Sequence, residues 1–237
     1  MEVIPGVYKL SGLWDQADLG AGVYLISTEG ELTLVDTGFK SKYRQVLRRI
    51  YGLGFSPSRI SNIIITHHHA DHTGGLAELK AITGATVTAH KADAPYIEGR
   101  LPQPGPFRPD WLRRMSGTVN KILKTEPCGV DNQVEDDDEL PVMGGMRIIH
   151  TPGHTPGSIC IYVRHRSLIF VGDLVARLRA LKLPSMPFTA DIPLELQSIR
   201  KLAGLEFETM CFGHGHPVRQ GASQMVADFA HRLEEKR

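Results

Sequence analysis

Four histidines and one aspartate lie within six consecutive positions, from His67 to His72. The cluster follows a near-continuous apolar run at 60–66, the pattern of a strand buried on both faces. Imidazole and carboxylate groups at this density are typical metal ligands, whereas a histidine-rich exposed turn is the simpler alternative. Written as ligands, the cluster reads His67, His69, Asp71 and His72, and the working hypothesis is a metal site.

Three later stretches repeat one arrangement, in which an expected strand ends and a His or Asp follows among glycines. These residues are His154, Asp173 and His214. Glycines at such positions let the backbone and a ligand come close together. Because the residues are far apart along the chain, they can meet only if the strand ends converge on one edge of the fold.

The elements that must position these residues alternate between strand and helix in the first half, which favours an α/β architecture with helices outside the sheet. The strands are rich in β-branched and aromatic residues, and Ser41 and Asp191 are the expected helix N-caps. Strands are predicted at 7–10, 22–26, 32–36, 60–66, 86–89, 146–150, 158–163, 167–172 and 208–212, and helices from Ser41, at 76–82, from Asp191 and at 221–236.

The bulk composition is that of a soluble globular protein. The 237 residues fit one domain over 1–237, and a net charge of +1 gives no electrostatic reason to expect nucleic acid or an anionic membrane. No run reaches the roughly 18 apolar residues that a membrane span needs, and the N-terminus carries no secretory pattern. Three separated cysteines without a CxxC motif favour a reducing cytoplasm.

Two loops, 97–118 and 177–190, interrupt the regular pattern with prolines and large apolar side chains. A long loop in a compact domain usually has a function, so we expect these loops to form a substrate pocket or lid. The alternative is a loop that packs its aromatic residues back onto the core. The expected apolar pocket residues are Phe107, Trp111, Met115, Leu183, Met186 and Phe188.

The motif set resembles that of the metallo-β-lactamase superfamily, in order and spacing, and it extends over nearly the whole chain. The match runs through Asp36-Thr37-Gly38, the histidine cluster, His154, Asp173 and His214. The resemblance implies an α/β fold, a four-layer αβ/βα sandwich of two mixed β-sheets with helices on the outer faces. It also implies the ligands: His67, His69 and His154 for a first metal, Asp71, His72 and His214 for a second, and Asp173 as the bridge.

This ligand set predicts hydrolysis. Two divalent metal ions are expected, zinc first, although the ligand types also suit iron or manganese. A hydroxide that bridges two dications is a nucleophile near neutral pH, and one metal polarises the scissile bond. Asp71 is the expected catalytic residue, which orients the hydroxide and passes its proton to the leaving group. Asp36 is expected to brace the ligand loops through hydrogen bonds.

The other histidines have different expected roles. Alternation points His68 away from the site, and His216 is the rival of His214, which is preferred because of its position in the family pattern. His90 and His150 end strands and are expected to be buried hydrogen-bonding groups. His165 and His231 are expected to be surface residues, and Cys211 is expected to be a buried apolar thiol.

Differences from three subgroups of the family reduce the number of reactions to expect. True β-lactamases lack the bridging aspartate that Asp173 provides, glyoxalase-II enzymes continue further past the last ligand, and acyl-homoserine lactonases carry a tyrosine that is missing after Asp173. The expected substrate is an ester, thioester or lactone of a small, partly apolar molecule. The alternatives are an iron-dependent redox enzyme and a non-catalytic metal-binding protein of the same fold, and a homodimer is left open.

Overall fold

A seven-stranded β-sheet forms one half of this computed structural model, which describes residues 1–11, 20–103, 125–177, 179–184 and 186–235. Its strands are β1 (Glu2–Ile4), β2 (Val7–Lys9), β3 (Tyr24–Ser27), β4 (Leu32–Val35), β5 (Ile60–Ile64), β6 (Thr86–His90) and β7 (Asn132–Val134). They lie side by side in sequence order. Strands β1 to β4 pair antiparallel and β4 to β7 pair parallel, so the sheet is mixed.

A five-stranded sheet forms the other half. The remaining strands are β8 (Glu139–Leu140), β9 (Met146–His150), β10 (Ile159–Val163), β11 (Leu168–Phe170), β12 (Ala176–Arg177), β13 (Leu181–Lys182) and β14 (Thr209–Cys211). The sheet order is β14-β11-β10-β9-β8, and β12 and β13 form a separate hairpin. Only the β11–β14 pair is parallel within this sheet, which is therefore also mixed.

Helices cover the outer face of each sheet. The helices of the described residues are α1 (Tyr43–Gly52), α2 (Ala70–Thr73), α3 (Leu76–Thr83), α4 (Ala94–Ile97), α5 (Ile192–Ala203) and α6 (Ala222–Glu235). Helices α1 and α3 bury Val46 and Leu79 against the first sheet, and α5 and α6 bury Leu202 and Val226 against the second. Within the described parts of the chain, none of these helices combines the length and apolarity that crossing a bilayer requires.

A third apolar core lies between the two sheets. Val35 and Ile64 of the first sheet share it with Ile161 and Phe170 of the second. The layers are therefore helix, sheet, sheet and helix, and the predicted αβ/βα sandwich of two mixed sheets is confirmed.

Most predicted elements begin and end within two residues of the observed ones. The Asp191 N-cap is confirmed, since its carboxylate accepts a hydrogen bond from Leu194 N–H. The Ser41 N-cap is wrong, because Ser41 lies inside a 3₁₀ turn (Lys40–Lys42) and α1 starts at Tyr43 without a side-chain cap.

His90, at the end of β6, stacks on His150, at the end of β9, with ring centroids 3.9 Å apart. The ring of His90 is buried, and its Nδ1 accepts a hydrogen bond from Ala92 N–H. Burial, and then the neighbouring His150, lower the pKa of His90 to about 4. The fold therefore favours the neutral form of this imidazole.

We expect protonation of His90 to destabilise the fold between about pH 6.5 and pH 4. The unfolded chain takes up this proton at the ordinary histidine pKa, whereas the folded chain resists it. The stability that neutral His90 contributes is therefore complete above about pH 6.5. The free energy of unfolding decreases as the pH falls from there to about 4, by at most about 1.4 kcal/mol per pH unit. Urea unfolding of the wild type and His90→Asn, above and inside the window, measures the difference. The exposed His231→Asn is the control, and an unchanged pH slope in His90→Asn would contradict the prediction.

Candidate metal centre

The predicted ligands converge because each follows the end of a strand. The cluster from His67 to His72 follows β5 and runs into α2, and His154, Asp173 and His214 follow β9, β11 and β14. Their ligand atoms form three overlapping groups, within each of which the atoms lie no more than 4.8 Å apart. The groups are His67, His69 and His154; His67, His72 and Asp173; and Asp71, His72 and His214.

The first group is a cage of three imidazoles. Nδ1 of His69 lies 3.0 Å from Nε2 of His154, close to the roughly 3.3 Å that separates two nitrogens on one tetrahedral zinc ion. The ring of His67 stands edge-on to those of His69 and His154, with centroids 4.9 Å away in each case. This geometry brings one ring nitrogen from each residue within 4.8 Å of the others.

The second ligand group consists of Asp71, His72 and His214, and Asp173 lies between it and the first group. Its Oδ1 lies 3.3 Å from Nε2 of His72, and its Oδ2 lies 3.2 Å from Nε2 of His214 and 3.6 Å from Nε2 of His154. Oδ2 of Asp71 lies 3.1 Å from Nε2 of His214. Asp173 therefore reaches members of both groups, the position that a bridging carboxylate needs.

Electrostatics differ between the two groups. Burial, and then neighbouring imidazoles, hold the pKa values of His67 and His69 well below the ordinary value, and burial lowers that of His154 to about 4. These shifts favour the neutral form of all three rings, the form in which an imidazole binds a metal ion. By contrast, the carboxylate of Asp173 raises the pKa of His214 to about 10, and the carboxylates around His72 raise its pKa despite burial.

Nε2 of His67 is buried at the centre without a hydrogen-bond partner among the described residues, and the buried Nε2 of His72 and Oδ1 of Asp173 face only each other, 3.3 Å apart, without forming a hydrogen bond. Leaving such atoms unsatisfied costs about 1–3 kcal/mol each. Imidazole nitrogens and carboxylate oxygens are the donors that zinc and related divalent metals bind. The residues present therefore fit divalent metal ions, and binding them satisfies the three atoms together.

Asp36 makes the hydrogen bonds that its position after β4 predicts. Its carboxylate accepts from the backbone N–H of Thr66 at 2.8 Å and from the Thr66 hydroxyl at 2.8 Å, and it lies 2.8 Å from Nδ1 of His72. The backbone of Asp36 has a φ of 60°, a left-handed conformation that aspartate tolerates better than most residues. This turn directs the carboxylate toward the cluster and fixes the ring of His72.

His68 and His216 lie outside the three ligand groups. The buried His68 ring points away from them, stacks on Tyr96 with centroids 4.5 Å apart and places Nδ1 3.1 Å from Oδ2 of Asp93. His216 is exposed, whereas His214 faces Asp71 and Asp173.

Asp93 was missed at the sequence level, although it joins the ligand loops. Its carboxylate is fully buried and accepts hydrogen bonds from His68 N–H (2.8 Å), the Thr155 hydroxyl (2.8 Å) and Gly157 N–H (2.7 Å). Burial alone raises its pKa, but the hydrogen bonds, led by His68, bring it below the ordinary value. The available signal was an aspartate shortly after β6, but it lacks the flanking glycines of the other motifs.

We expect Asp93→Ala to lower the free energy of unfolding by about 3–5 kcal/mol, because the change leaves buried donors without an acceptor. Urea unfolding measures it. The matched control is Glu234→Ala, which removes an exposed ion pair with Arg200 and should cost less than about 1 kcal/mol. Equal losses in the two variants would contradict the role of Asp93.

Of the expected pocket residues, Phe188 lies beside the centre. Its ring is 6.2 Å from that of His69, edge-on. Leu183 is partly buried and packs on the core of the second sheet, and Met186 begins a 3₁₀ turn (Met186–Phe188). Phe107, Trp111 and Met115, with most of the expected 97–118 loop, lie outside the described residues.

Several curated relatives match most of the chain. It is 29% identical over 219 residues to the probable metallo-hydrolase YflN of Bacillus subtilis, covering 84% of this chain and 81% of that protein. It is 32% identical over 186 residues to a hydroxyacylglutathione hydrolase of Cereibacter sphaeroides, and 25% identical over 220 residues to the atrochrysone carboxyl ACP thioesterase of Aspergillus fumigatus. These matches cover 78% and 92% of this chain but 58% of each of those two proteins.

Solved structures share the fold. A metallo-beta-lactamase family protein of Thermus thermophilus superposes with a TM-score of 0.77 at 24% identity, over 99% of this chain and 81% of that chain. The subclass B3 metallo-beta-lactamase BJP-1 of Bradyrhizobium japonicum superposes with a TM-score of 0.75 at 24% identity, over 100% of this chain and 90% of that chain. The sequence pattern of the metallo-beta-lactamase superfamily matches residues 19–214. This match extends over most of the chain, which therefore belongs to the metallo-beta-lactamase superfamily.

Proposed function

We propose that this protein is a binuclear metal-dependent hydrolase that cleaves an ester, thioester or lactone of a small, partly apolar molecule. The observation that carries the proposal is the convergence of both ligand groups on Asp173, whose oxygens lie within 3.6 Å of nitrogens from His72, His154 and His214. The proposed first-metal ligands are His67, His69 and His154, the second-metal ligands are Asp71, His72 and His214, and Asp173 is shared.

Each side chain has a distinct task in this reaction. Two dications held by these ligands would supply a water activated near neutral pH and an electrophile for the scissile bond. The buried neutral imidazoles of the first group donate lone pairs without carrying charge of their own. Asp71 is 18% exposed at its side chain, so its carboxylate is accessible from solvent and can hold a proton for the leaving group.

The substrate class rests on two observations. The edge-on ring of Phe188 adds an apolar surface next to His69, and small-molecule sites are commonly apolar with a few convergent polar groups. Two of the relatives are named as a hydroxyacylglutathione hydrolase and an ACP thioesterase. An acylglutathione is a thioester, so these names favour the thioester among the three bond types.

The test combines metal analysis with a substrate panel. Elemental analysis of protein purified from cells counts zinc, iron and manganese per chain, and two metal ions per chain are expected. Metal-stripped and zinc-reloaded protein are then assayed against lactones, thioesters, phosphodiesters and β-lactams. Zinc-dependent turnover of thioesters or lactones supports the proposal. Turnover confined to phosphodiesters, or one iron per chain with oxygen consumption, would overturn it.

A further inference from the structure

The carboxyl group of Glu195 is buried and has no task in the proposed hydrolysis. Glu195 lies in the first turn of α5 and is 1% exposed, and its Oε1 has no hydrogen-bond partner within the described parts of the chain. Burying a carboxyl group is costly unless the group is hydrogen-bonded. We therefore expect Oε2, the second oxygen of Glu195, to be hydrogen-bonded.

The first turn of α5 is locked onto the loop that carries His154. Gly153 has a φ of 136°, and a β-carbon there would lie 2.3 Å from the backbone N and Cα of Glu195. The N–H of Asp191 donates to the Gly153 carbonyl at 2.8 Å, and the N–H of Ala190 donates to the His154 carbonyl at 3.1 Å. The helix and the loop thus hold each other at the closest approach that a glycine permits.

Thr189 joins Glu195 to His154. The Thr189 hydroxyl is buried and lies 3.2 Å from Nδ1 of His154, and the Thr189 side chain is also hydrogen-bonded to the Glu195 carboxyl group. A hydroxyl group has a single proton to donate. When that proton goes to Glu195, the oxygen of Thr189 is left to accept from Nδ1–H of His154.

The direction of these two hydrogen bonds sets the tautomer of His154. With the proton on Nδ1, the lone pair of Nε2 faces His69 and the first ligand group. In the reverse direction the Thr189 hydroxyl would donate to Nδ1, and the proton on Nε2 would block metal binding. Burial, and then the charge of Asp173, raise the pKa of Glu195 to about 8. The carboxylate can only accept from Thr189, and the neutral acid accepts as well when its proton lies on the unpartnered Oε1.

We propose that Glu195 and Thr189 form a positioning relay that holds His154 in the tautomer with its proton on Nδ1, with Nε2 directed at the first metal. The effect on metal affinity rests on the proposed function, because it requires His154 to be a ligand. Removing a group that is hydrogen-bonded to a metal-bound histidine typically lowers metal affinity by about 10–100-fold.

The first experiment reads the tautomer without metal. Nitrogen-15 NMR of the metal-free protein, with His154 assigned by substitution, should show the proton on Nδ1 in the wild type. Thr189→Val, which removes the hydroxyl and keeps the shape, should weaken this preference, and Thr189→Ser should restore it. A proton on Nε2 of His154 in the wild type would overturn the relay, whatever the protein hydrolyses.

The second experiment measures zinc affinity by competition with a chelator. Thr189→Val and Glu195→Leu should each weaken binding by about 10–100-fold, and the double variant should lose no more than either single variant. Ser198→Ala is the matched control, because Ser198 on the same helix donates to the carbonyl of Pro152 in the same loop but does not contact His154. An equal loss of affinity in Ser198→Ala would show that helix packing, rather than the relay, is responsible.

The two experiments separate failure of the relay from failure of the proposed function. A wild type that binds zinc, with Thr189→Val and Glu195→Leu binding it equally well, would overturn the relay and leave the hydrolase proposal standing. A wild type that binds no metal would overturn the hydrolase proposal, and the tautomer measurement would still decide the relay.

Discussion

Gly213→Ala is expected to weaken zinc binding at least about 10²-fold and to remove metal-dependent turnover. A β-carbon at Gly213 would lie 2.0 Å from Oδ1 of Asp173 and 2.8 Å from Cε1 of His72. The backbone there has no room to retreat, because Gly213 N–H donates to the Gly172 carbonyl and the Gly213 carbonyl accepts from Gly22. Asp173 must therefore move, and misplaced ligands lose affinity steeply.

Gly204→Ala is the matched control for this substitution. Gly204 follows α5 with a φ of −83°, which any residue adopts, and its nearest atom to a new β-carbon is 3.5 Å away. Chelator competition and thermal unfolding of both variants separate loss of the site from loss of the fold. Zinc affinity in Gly213→Ala equal to that of Gly204→Ala would mean that Asp173 is not held where the metals bind.

The predictable part of this protein is the part with local sequence signals. The apolar run before His67 predicted a buried strand, and the glycines around His154, Asp173 and His214 marked strand ends. Parallel strands direct their carboxyl ends to one edge, so the convergence of these residues followed from the pattern together with the family resemblance. Asp36 also lay at a strand end and was expected to form hydrogen bonds to the ligand loops, and the structure gives Thr66 and His72 as the partners.

The residues missed are those whose roles depend on contacts between distant parts of the chain. Asp93 accepts from Thr155, which lies 62 positions later, and Lys9 donates from β2 to the carbonyl of Gly215, which lies 206 positions later. In the sequence, a single lysine or acid that becomes buried belongs to no periodic pattern and has no flanking glycine to mark it. Lys9 is 2% exposed and steadies the segment that carries His214, yet in sequence it is one residue of an ordinary strand.

Asp71→Ala is expected to lower turnover by about 10²–10⁴-fold, the usual contribution of a positioned proton carrier, and to remove one of the two proposed metal ions. The change takes a carboxylate from a group that retains His72 and His214. Asp71 lies in the four-residue α2 and is partly exposed, so we expect little change in unfolding free energy. Elemental analysis, substrate turnover and thermal unfolding of the same preparation measure the three quantities.

Asp71→Asn distinguishes the two tasks of this carboxylate. Asparagine keeps an oxygen of similar position but loses the charge and the ability to carry the proton, so metal content should recover in part while turnover stays low. Asp228→Ala, on the exposed face of α6 with a hydrogen bond from Gln224, is the control and should match the wild type. Recovery of turnover in Asp71→Asn would assign Asp71 to metal binding alone, and full activity in Asp71→Ala would contradict both tasks, because the second ligand group would then be unnecessary for the reaction.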